Sequence, residues 1–173
     1  MLKVERNFSR LGAALVAEED IPAGAAVFEF FGALASTPTR YSIQRDHEQH
    51  WALDGLWISL NHACEPNCRV DFDLWTLQAV RPIRAGEQLT YNYLSTEWEM
   101  AAPFSCGCGS PRCFGTIQGF RHLTDAQQRL MLPEVSPYLR RRYDELSLVR
   151  RSAGQPQGHG LSSPASIVAT RTG

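Results

Sequence analysis

The chain has 173 residues, with 17 lysine and arginine side chains against 18 aspartate and glutamate side chains, and 43% of its residues are hydrophobic. That size fits one globular domain with a short appendage, and the near-neutral charge excludes a strong overall field for nucleic acid or an anionic membrane. No apolar stretch approaches the ~20 residues of a membrane-spanning helix. The N-terminal residues lack a small-residue cleavage site, so we expect no signal peptide.

Short apolar or alternating runs predict six β-strands, at residues 13–16, 27–31, 57–60, 69–72, 75–79 and 88–93. The fourth and fifth runs are close in sequence and alternate with a period of two, which predicts a β-hairpin. Residues 33 to about 57 are polar and mixed in character, and we interpret them as a short insert.

Helical periodicity appears only late in the chain, at residues 124–132 and from Ser136 to about residue 150. Ser136 is a suitable N-cap with Pro137 at the first helical position, and Pro133 should separate the two helices. From residue 152 onward, glycine, serine, proline and glutamine predominate, which predicts a disordered tail. The sequence therefore predicts a mainly β fold with a helical C-terminal extension.

The five cysteines do not fit a disulfide framework. Their number is odd, and Cys106 and Cys108 are separated by a single residue, so a bond between these two would be badly strained. A chain of this size buries roughly two thirds of its surface on folding and does not need covalent crosslinks. We therefore expect a cytoplasmic protein, or one from another reducing intracellular compartment.

Three of the cysteines predict a metal site. Cys106, Cys108 and Cys113 lie close together in a stretch rich in glycine and proline. A structural zinc ion takes four ligands in a tetrahedron, so a fourth ligand must come from elsewhere. Cys64 and Cys68 are the candidates, and spacing alone does not choose between them. The alternative is a set of free, partly buried thiols.

Four segments, taken in order, resemble one protein family. They are GAAL at 12–15 followed by DIPAG at 20–24 and EFFG at 29–32, then NHACEPNC at 61–68, GEQLTYNY at 86–93 and CGCGSPRC at 106–113. In this order they resemble the SET-domain protein lysine methyltransferases with a post-SET zinc motif. The resemblance covers roughly residues 10–118.

The resemblance implies a fold and a division of the chain. The fold is a SET fold of small curved β-sheets in which the second and third motif segments form a threaded pseudoknot. The implied divisions are a SET domain at 1–95 with an insert at about 33–57, a post-SET zinc segment at 96–119, a helical extension at 120–151 and the tail at 152–173.

The resemblance also implies an activity, namely transfer of a methyl group from S-adenosylmethionine to the ε-amine of a lysine on a protein substrate. Tyr93 and Tyr91 are the implied catalytic residues, and Phe30 lines the lysine channel with Tyr91. The implied cofactor-binding residues are Gly12, Ala13, Ala14, Leu15, Tyr41, Asn61, His62 and Ile117. The implied zinc ligands are Cys64, Cys106, Cys108 and Cys113.

Residue chemistry is consistent with that activity. A lysine amine is nucleophilic only when neutral, and a dry aromatic channel beside a sulfonium cation favours loss of its proton. Two departures from the family pattern, Ala14 for glycine and Phe30 for tyrosine, favour the alternative of a catalytically weak or inactive, zinc-stabilised interaction module. The short insert leaves substrate selection to the C-terminal helices or to a partner chain, such as the second copy of a homodimer. We expect neither membrane insertion nor direct nucleic-acid binding.

Overall fold

The computed structural model describes residues 1–6 and 12–153. The predicted disordered tail lies outside the described residues from position 154 onward. The described residues form twelve short strands: β1 (Leu2–Glu5), β2 (Ala14–Ala17), β3 (Ala26–Glu29), β4 (Ala33–Ala35), β5 (Ser42–Asp46), β6 (Gln49–Ala52), β7 (Asn61–His62), β8 (Cys68–Asp71), β9 (Thr76–Ala79), β10 (Thr90–Tyr91), β11 (Phe104–Ser105) and β12 (Thr116–Ile117). Two α-helices, α1 (Asp125–Met131) and α2 (Pro137–Ala153), follow them.

These strands pair into small sheets, as predicted for a mainly β chain. Two sheets have three antiparallel strands, in the orders β3-β9-β8 and β4-β6-β5. Two antiparallel pairs, β1-β2 and β11-β12, stand beside them. The fifth sheet, the pair β7-β10, is parallel and joins segments that are distant in sequence. The prediction of a mainly β fold is therefore confirmed.

Two hydrophobic clusters form the interior. The first is built on the N-terminal strands and includes Leu15 and Leu77, both fully buried. The second lies under the C-terminal helices and includes Phe120 and Leu139, also fully buried. Tyr93 packs against both clusters. The junction of the two cores therefore lies at this tyrosine.

The predicted hairpin is confirmed. β8 and β9 pair antiparallel with Val70 opposite Leu77. The turn lacks an Asn-Gly or Asp-Gly pair. The Asp71 side chain stabilises it instead by accepting hydrogen bonds from the Asp73 and Leu74 N–H groups at 3.0 and 3.1 Å. Asp71 thereby forms the side-chain turn that short polar residues favour.

Two predicted strands differ from the structure. The run at 57–60 was expected to be a strand, but Gly55–Ser59 form a 3-10 helix in which the Leu60 N–H donates to the Trp57 carbonyl at 3.1 Å. A short apolar run cannot by itself distinguish a strand from a helical turn, and here the Trp57 ring stacks on Phe28. The strand expected at 88–93 is limited to β10, because Tyr93–Ser95 form a second 3-10 helix.

The insert is more ordered than its composition indicated, since it contains the whole β4-β6-β5 sheet. Its inward-facing positions include Ser42, Gln44 and His50, which are all buried. Because polar residues occupy these positions, the alternation of apolar and polar residues that reveals a strand is missing.

The helical extension forms where the sequence predicted it. Thr124 caps α1 in a capping box with Gln127, and the Ser136 hydroxyl accepts the Leu139 N–H at 3.2 Å at the start of α2. The 3-10 turn Leu132–Glu134 separates the two helices. Another 3-10 turn, Phe120–His122, precedes α1.

Candidate functional site

The parallel pair of β7 and β10 brings two motif segments side by side. Its register places Asn61 opposite Thr90 and His62 opposite Tyr91. The Ala63 N–H then donates to the Tyr91 carbonyl at 3.2 Å. The side chains that the resemblance implies for cofactor binding and for catalysis therefore start from neighbouring strands.

Asn67 joins the two segments through its buried amide. Its Nδ2 donates to the Gln88 carbonyl at 2.8 Å and to Glu87 Oε1 at 3.2 Å. Its Oδ1 accepts the Thr90 N–H at 2.8 Å. Asn67 is only 2% exposed, so these bonds are shielded from water and hold the start of β10 against the loop that follows β7.

His62 makes a second connection, at the other end of β10. Its Nδ1 accepts the Tyr93 N–H at 3.2 Å, and its Nε2 lies 3.3 Å from the Cys64 sulfur. Burial lowers the pKa of His62 to about 4, so the ring is neutral. Because Nδ1 is an acceptor, the single ring proton belongs on Nε2 and is donated to the cysteine sulfur.

A cavity of about 370 Å³ opens beside this pair of strands, a volume suited to a small-molecule or side-chain ligand. The residues that line it come from the insert, from β7 and β10, and from the segment that precedes β11. They include Arg40, Tyr41, Trp57, Leu60, Asn61, His62, Tyr91, Tyr93, Glu97, Met100 and Phe104.

Tyr93 lies against this cavity with its hydroxyl fixed. The hydroxyl donates to the Leu60 carbonyl at 2.6 Å, and the Tyr93 ring lies 4.9 Å from that of Tyr91, centroid to centroid. Burial raises the pKa of both tyrosines. Both therefore remain neutral near physiological pH, and the lone pairs of the Tyr93 oxygen are available to a group in the cavity.

The predicted cofactor-binding residues at 12–15 lie next to Asn61, at the start of β2. Asn61 Nδ2 donates to the Ala13 carbonyl at 2.9 Å, so β7 is in contact with the segment leading into β2. Gly12 has a φ of 84°, a left-handed conformation that glycine adopts without strain. Ala14 and Leu15 are fully buried and offer a ligand no side-chain surface.

Three predicted residues lie at or beyond the edge of the site. Tyr41 lines the cavity and is 44% exposed. Phe30 is buried and its ring lies 6.4 Å from that of Tyr91, so it supports the tyrosine from the core. Ile117 is fully buried in the second hydrophobic cluster, beside the cysteines. Among the described residues, neither Phe30 nor Ile117 lines the cavity.

Sequence reasoning missed Glu97, a buried carboxyl group on the cavity wall. Its backbone N–H donates to the Tyr93 carbonyl at 3.0 Å. No local pattern marks it, because its carboxyl contact is to Gln44, 53 residues earlier in the chain. Burial raises the pKa of Glu97 to about 7.

Four of the five cysteines meet in one cluster. The sulfur atoms of Cys64, Cys106, Cys108 and Cys113 all lie within 4.8 Å of one another. Cys68, the other candidate for the fourth ligand, is instead buried in the first hydrophobic cluster. None of the five cysteines forms a disulfide.

The geometry of this cluster fits a zinc ion. Tetrahedral ligands at a Zn–S distance of about 2.3 Å lie about 3.8 Å apart. The Cys64 sulfur is 3.8 Å from the sulfurs of Cys106 and Cys113. The Phe114 N–H donates to the Cys64 sulfur at 3.3 Å, which is the kind of outer contact that orients a metal ligand. These four residues could therefore hold zinc.

The charges of the cluster also favour a cation. Burial raises the pKa of the Cys64 thiol and, with neighbouring thiols, that of Cys106. Four thiols this close cannot all ionise without a compensating positive charge, whereas a bound metal displaces their protons.

Neither helix of the described residues combines the length and the apolar character of a membrane span.

Replacing Asn67 with alanine should lower the free energy of unfolding by at least about 2 kcal/mol, because the Gln88 carbonyl and the Thr90 N–H lose a buried partner. Urea denaturation measures this loss. The control is Gln78→Ala, which removes a hydrogen bond to Asp71 within the hairpin and should cost less than about 1.5 kcal/mol. Equal losses in the two variants would contradict the role given to Asn67.

The purified protein should contain one zinc ion per chain, measured by elemental mass spectrometry. Cys106→Ser should reduce the zinc content and the melting temperature together, because metal binding and folding are coupled. Cys68→Ala is the matched control, since Cys68 lies outside the cluster, and it should retain zinc. A wild-type protein that purifies without zinc and does not take it up would show that the cluster is a set of free thiols.

Comparison with known proteins identifies the family. Residues 12–94 match the family described as SET domain. The chain is 34% identical over 102 residues to the methyltransferase flvH of Aspergillus flavus, covering 57% of each protein. It is 33% identical over 145 residues to an H3 lysine-36 specific histone-lysine N-methyltransferase of Gibberella zeae, covering 69% of this chain and 15% of that protein. The chain thus spans less than two thirds of the length of these relatives.

Solved structures agree with the sequence matches. KRYPTONITE in complex with mCHG DNA and SAH aligns with a TM-score of 0.55 and 28% identity, covering 66% of this chain and 28% of that chain. A second KRYPTONITE complex, with mCHH DNA, H3(1-15) peptide and SAH, aligns with a TM-score of 0.51 and 27% identity, covering 66% of this chain and 29% of that chain. Residues 12–94 of this chain therefore form a SET domain.

Proposed function

We propose that this chain is a protein-lysine N-methyltransferase that uses S-adenosylmethionine as methyl donor. The observation that carries the proposal is the cavity in which Asn61 and His62 meet Tyr91 and Tyr93 across the β7-β10 pair. The relatives named as histone-lysine methyltransferases and the neighbours solved with SAH support the same activity.

S-adenosylmethionine, when bound, supplies a methyl group on a sulfonium sulfur. We assign its binding to Asn61, His62 and Tyr41, which line the cavity, and to the backbone of Gly12 and Ala13 next to Asn61. Ala14, Leu15 and Ile117 are fully buried and support this site from the core. Asn61 is well placed for this role, because its contact with the Ala13 carbonyl uses one amide hydrogen and leaves the other hydrogen and the oxygen for a ligand.

The chain's own residues position the amine for attack. Tyr93 donates its proton to the Leu60 carbonyl, so its oxygen accepts a hydrogen bond from a neutral amine and turns the nitrogen lone pair toward the methyl group. Tyr91, supported by Phe30, walls the channel and excludes water. Holding two reactants in line supplies a large part of the rate of such a displacement.

The substrate is a protein that presents a lysine, and we propose a histone tail, in keeping with the H3 peptide in one neighbouring structure and the H3 specificity in the relatives' names. The arginine-rich part of α2 offers little free charge for nucleic acid, because Arg141, Arg142 and Arg150 pair with Asp46, Glu145 and Asp125. We further propose a reducing intracellular compartment, where a cluster of thiolates persists. A second copy of the chain is a candidate for completing the substrate groove.

Methyl transfer from radiolabelled S-adenosylmethionine to recombinant histone H3 tests the proposal. Tyr93→Phe should reduce kcat by about 100-fold, because the amine loses the hydroxyl that orients it. The control is Tyr143→Phe, which removes a hydroxyl from α2 outside the cavity and should leave the rate unchanged. Equal rates for wild type and Tyr93→Phe would overturn the assigned role.

Self-methylation gives little background in this assay, because Lys3 is the only lysine of the chain. Calorimetric titration with SAH separates the proposed enzyme from an inactive interaction module. The enzyme should bind SAH, whereas a module without catalysis has no need to.

A further inference from the structure

Glu97 lies on the same wall of the cavity as the catalytic tyrosine. It follows the 3-10 helix Tyr93–Ser95, and its N–H donates to the Tyr93 carbonyl. The residue is 6% exposed and is the one carboxylate among the described residues that line the cavity. Glu97 therefore borders the space that the substrate amine would enter, and its charge acts on both Tyr91 and Tyr93.

The partners of this carboxyl group are neutral. Oε1 accepts the Gln44 N–H at 3.0 Å, and the neighbouring Thr96 side chain, which favours the charged form and so lowers the Glu97 pKa, is uncharged. No ion pair with Glu97 is found among the described residues. A buried carboxylate without a cation is costly to fold, and such groups are concentrated at functional sites. An incoming ammonium would supply the missing positive charge.

The other titratable groups on the cavity wall are unsuited to take a proton. Tyr91 and Tyr93 are neutral acids, and burial raises their pKa. Both ring nitrogens of His62 are occupied, one by the Tyr93 N–H and the other by the Cys64 sulfur. Arg40 carries a positive charge and Tyr41 is at the open rim. On β5, the residue in contact with the Glu97 carboxyl group is Gln44, which has no charge.

We propose that Glu97 is a catalytic residue that binds the ammonium group of the incoming lysine and takes its proton. This inference rests on the proposed methyltransferase function. An N–H bond of the ammonium breaks and an O–H bond forms on Glu97, which leaves a neutral amine. The amine lone pair then forms the bond to the methyl carbon while the bond from carbon to the donor sulfur breaks. Glu97 returns its proton to water when the product leaves.

A proton acceptor beside the lysine is useful because very little of a free lysine is neutral at pH 7. A lysine with a pKa of about 10.4 is neutral in about one molecule in 2,500 at pH 7. A carboxylate that burial has brought to a pKa of about 7 is a better proton acceptor than an ordinary glutamate, and catalytic groups work best when their pKa is near the operating pH.

The test is the pH dependence of kcat/KM for recombinant histone H3 in wild type and in Glu97→Gln. The glutamine retains an oxygen for the Gln44 N–H but cannot take a proton. Wild-type kcat/KM should rise with pH through about 7 as Glu97 ionises. The pH profile of Glu97→Gln should lack this rise. Its kcat/KM should be lower than that of wild type by about 100-fold or more near neutral pH, and it should recover as the pH approaches the pKa of free lysine.

The matched control is Glu99→Gln. Glu99 is two residues away and exposed, where it pairs with Arg121, so its replacement should leave the pH profile unchanged. Two results would overturn the proposal. One is a loss of kcat/KM in Glu97→Gln that is the same at every pH, which is expected of a purely structural residue. The other is no loss of kcat/KM at any pH. Wild-type protein with no activity on histone H3 would count against the proposed function, and the Glu97 proposal would fall with it.

Thermal stability provides a second measurement. The folded-state pKa of Glu97 is raised above the ordinary value of 4.5, so ionising this group costs stability as the pH rises above that value. Glu97→Gln removes the charge and should melt at a higher temperature than wild type near pH 8. A lower melting temperature there would show that the carboxylate holds the fold together and would contradict the proposal.

Discussion

The site depends on the parallel pairing of two strands that are two residues long. Such a short pair is marginal by itself, and parallel pairing is slightly weaker than antiparallel pairing. Side chains therefore stabilise it at both ends. Asn67 binds the backbone of Gln88 and Thr90 at the start of β10, and His62 accepts the Tyr93 N–H just after it. The position of Tyr93 is thus fixed through its backbone.

The short segment around β7 also connects the cavity to the metal cluster. Leu60 accepts the Tyr93 hydroxyl, His62 faces the Cys64 sulfur, and Cys64 lies among three cysteines from the segment after β11. A zinc ion there would tie the second hydrophobic cluster to the first at Tyr93, which packs against both. Loss of the metal is therefore expected to disturb the cofactor-binding wall of the cavity as well.

Local sequence patterns were sufficient for some parts of the chain. The β8-β9 hairpin and the capped helices were predicted because their signals lie within a few residues. Spacing left the fourth cysteine open, and the resemblance chose Cys64. The sheet of the insert was missed because polar side chains fill its inward positions. Glu97 was missed because its burial depends on Gln44, which lies 53 residues earlier in the chain.

Calorimetric titration of SAH into zinc-loaded and zinc-stripped protein tests the central claim, that one junction supports both the metal cluster and the cofactor wall. We expect the zinc-loaded protein to bind SAH, and we expect removal of zinc to weaken or abolish this binding, with recovery when zinc is returned. Unchanged SAH affinity in protein shown to lack zinc would contradict the claim.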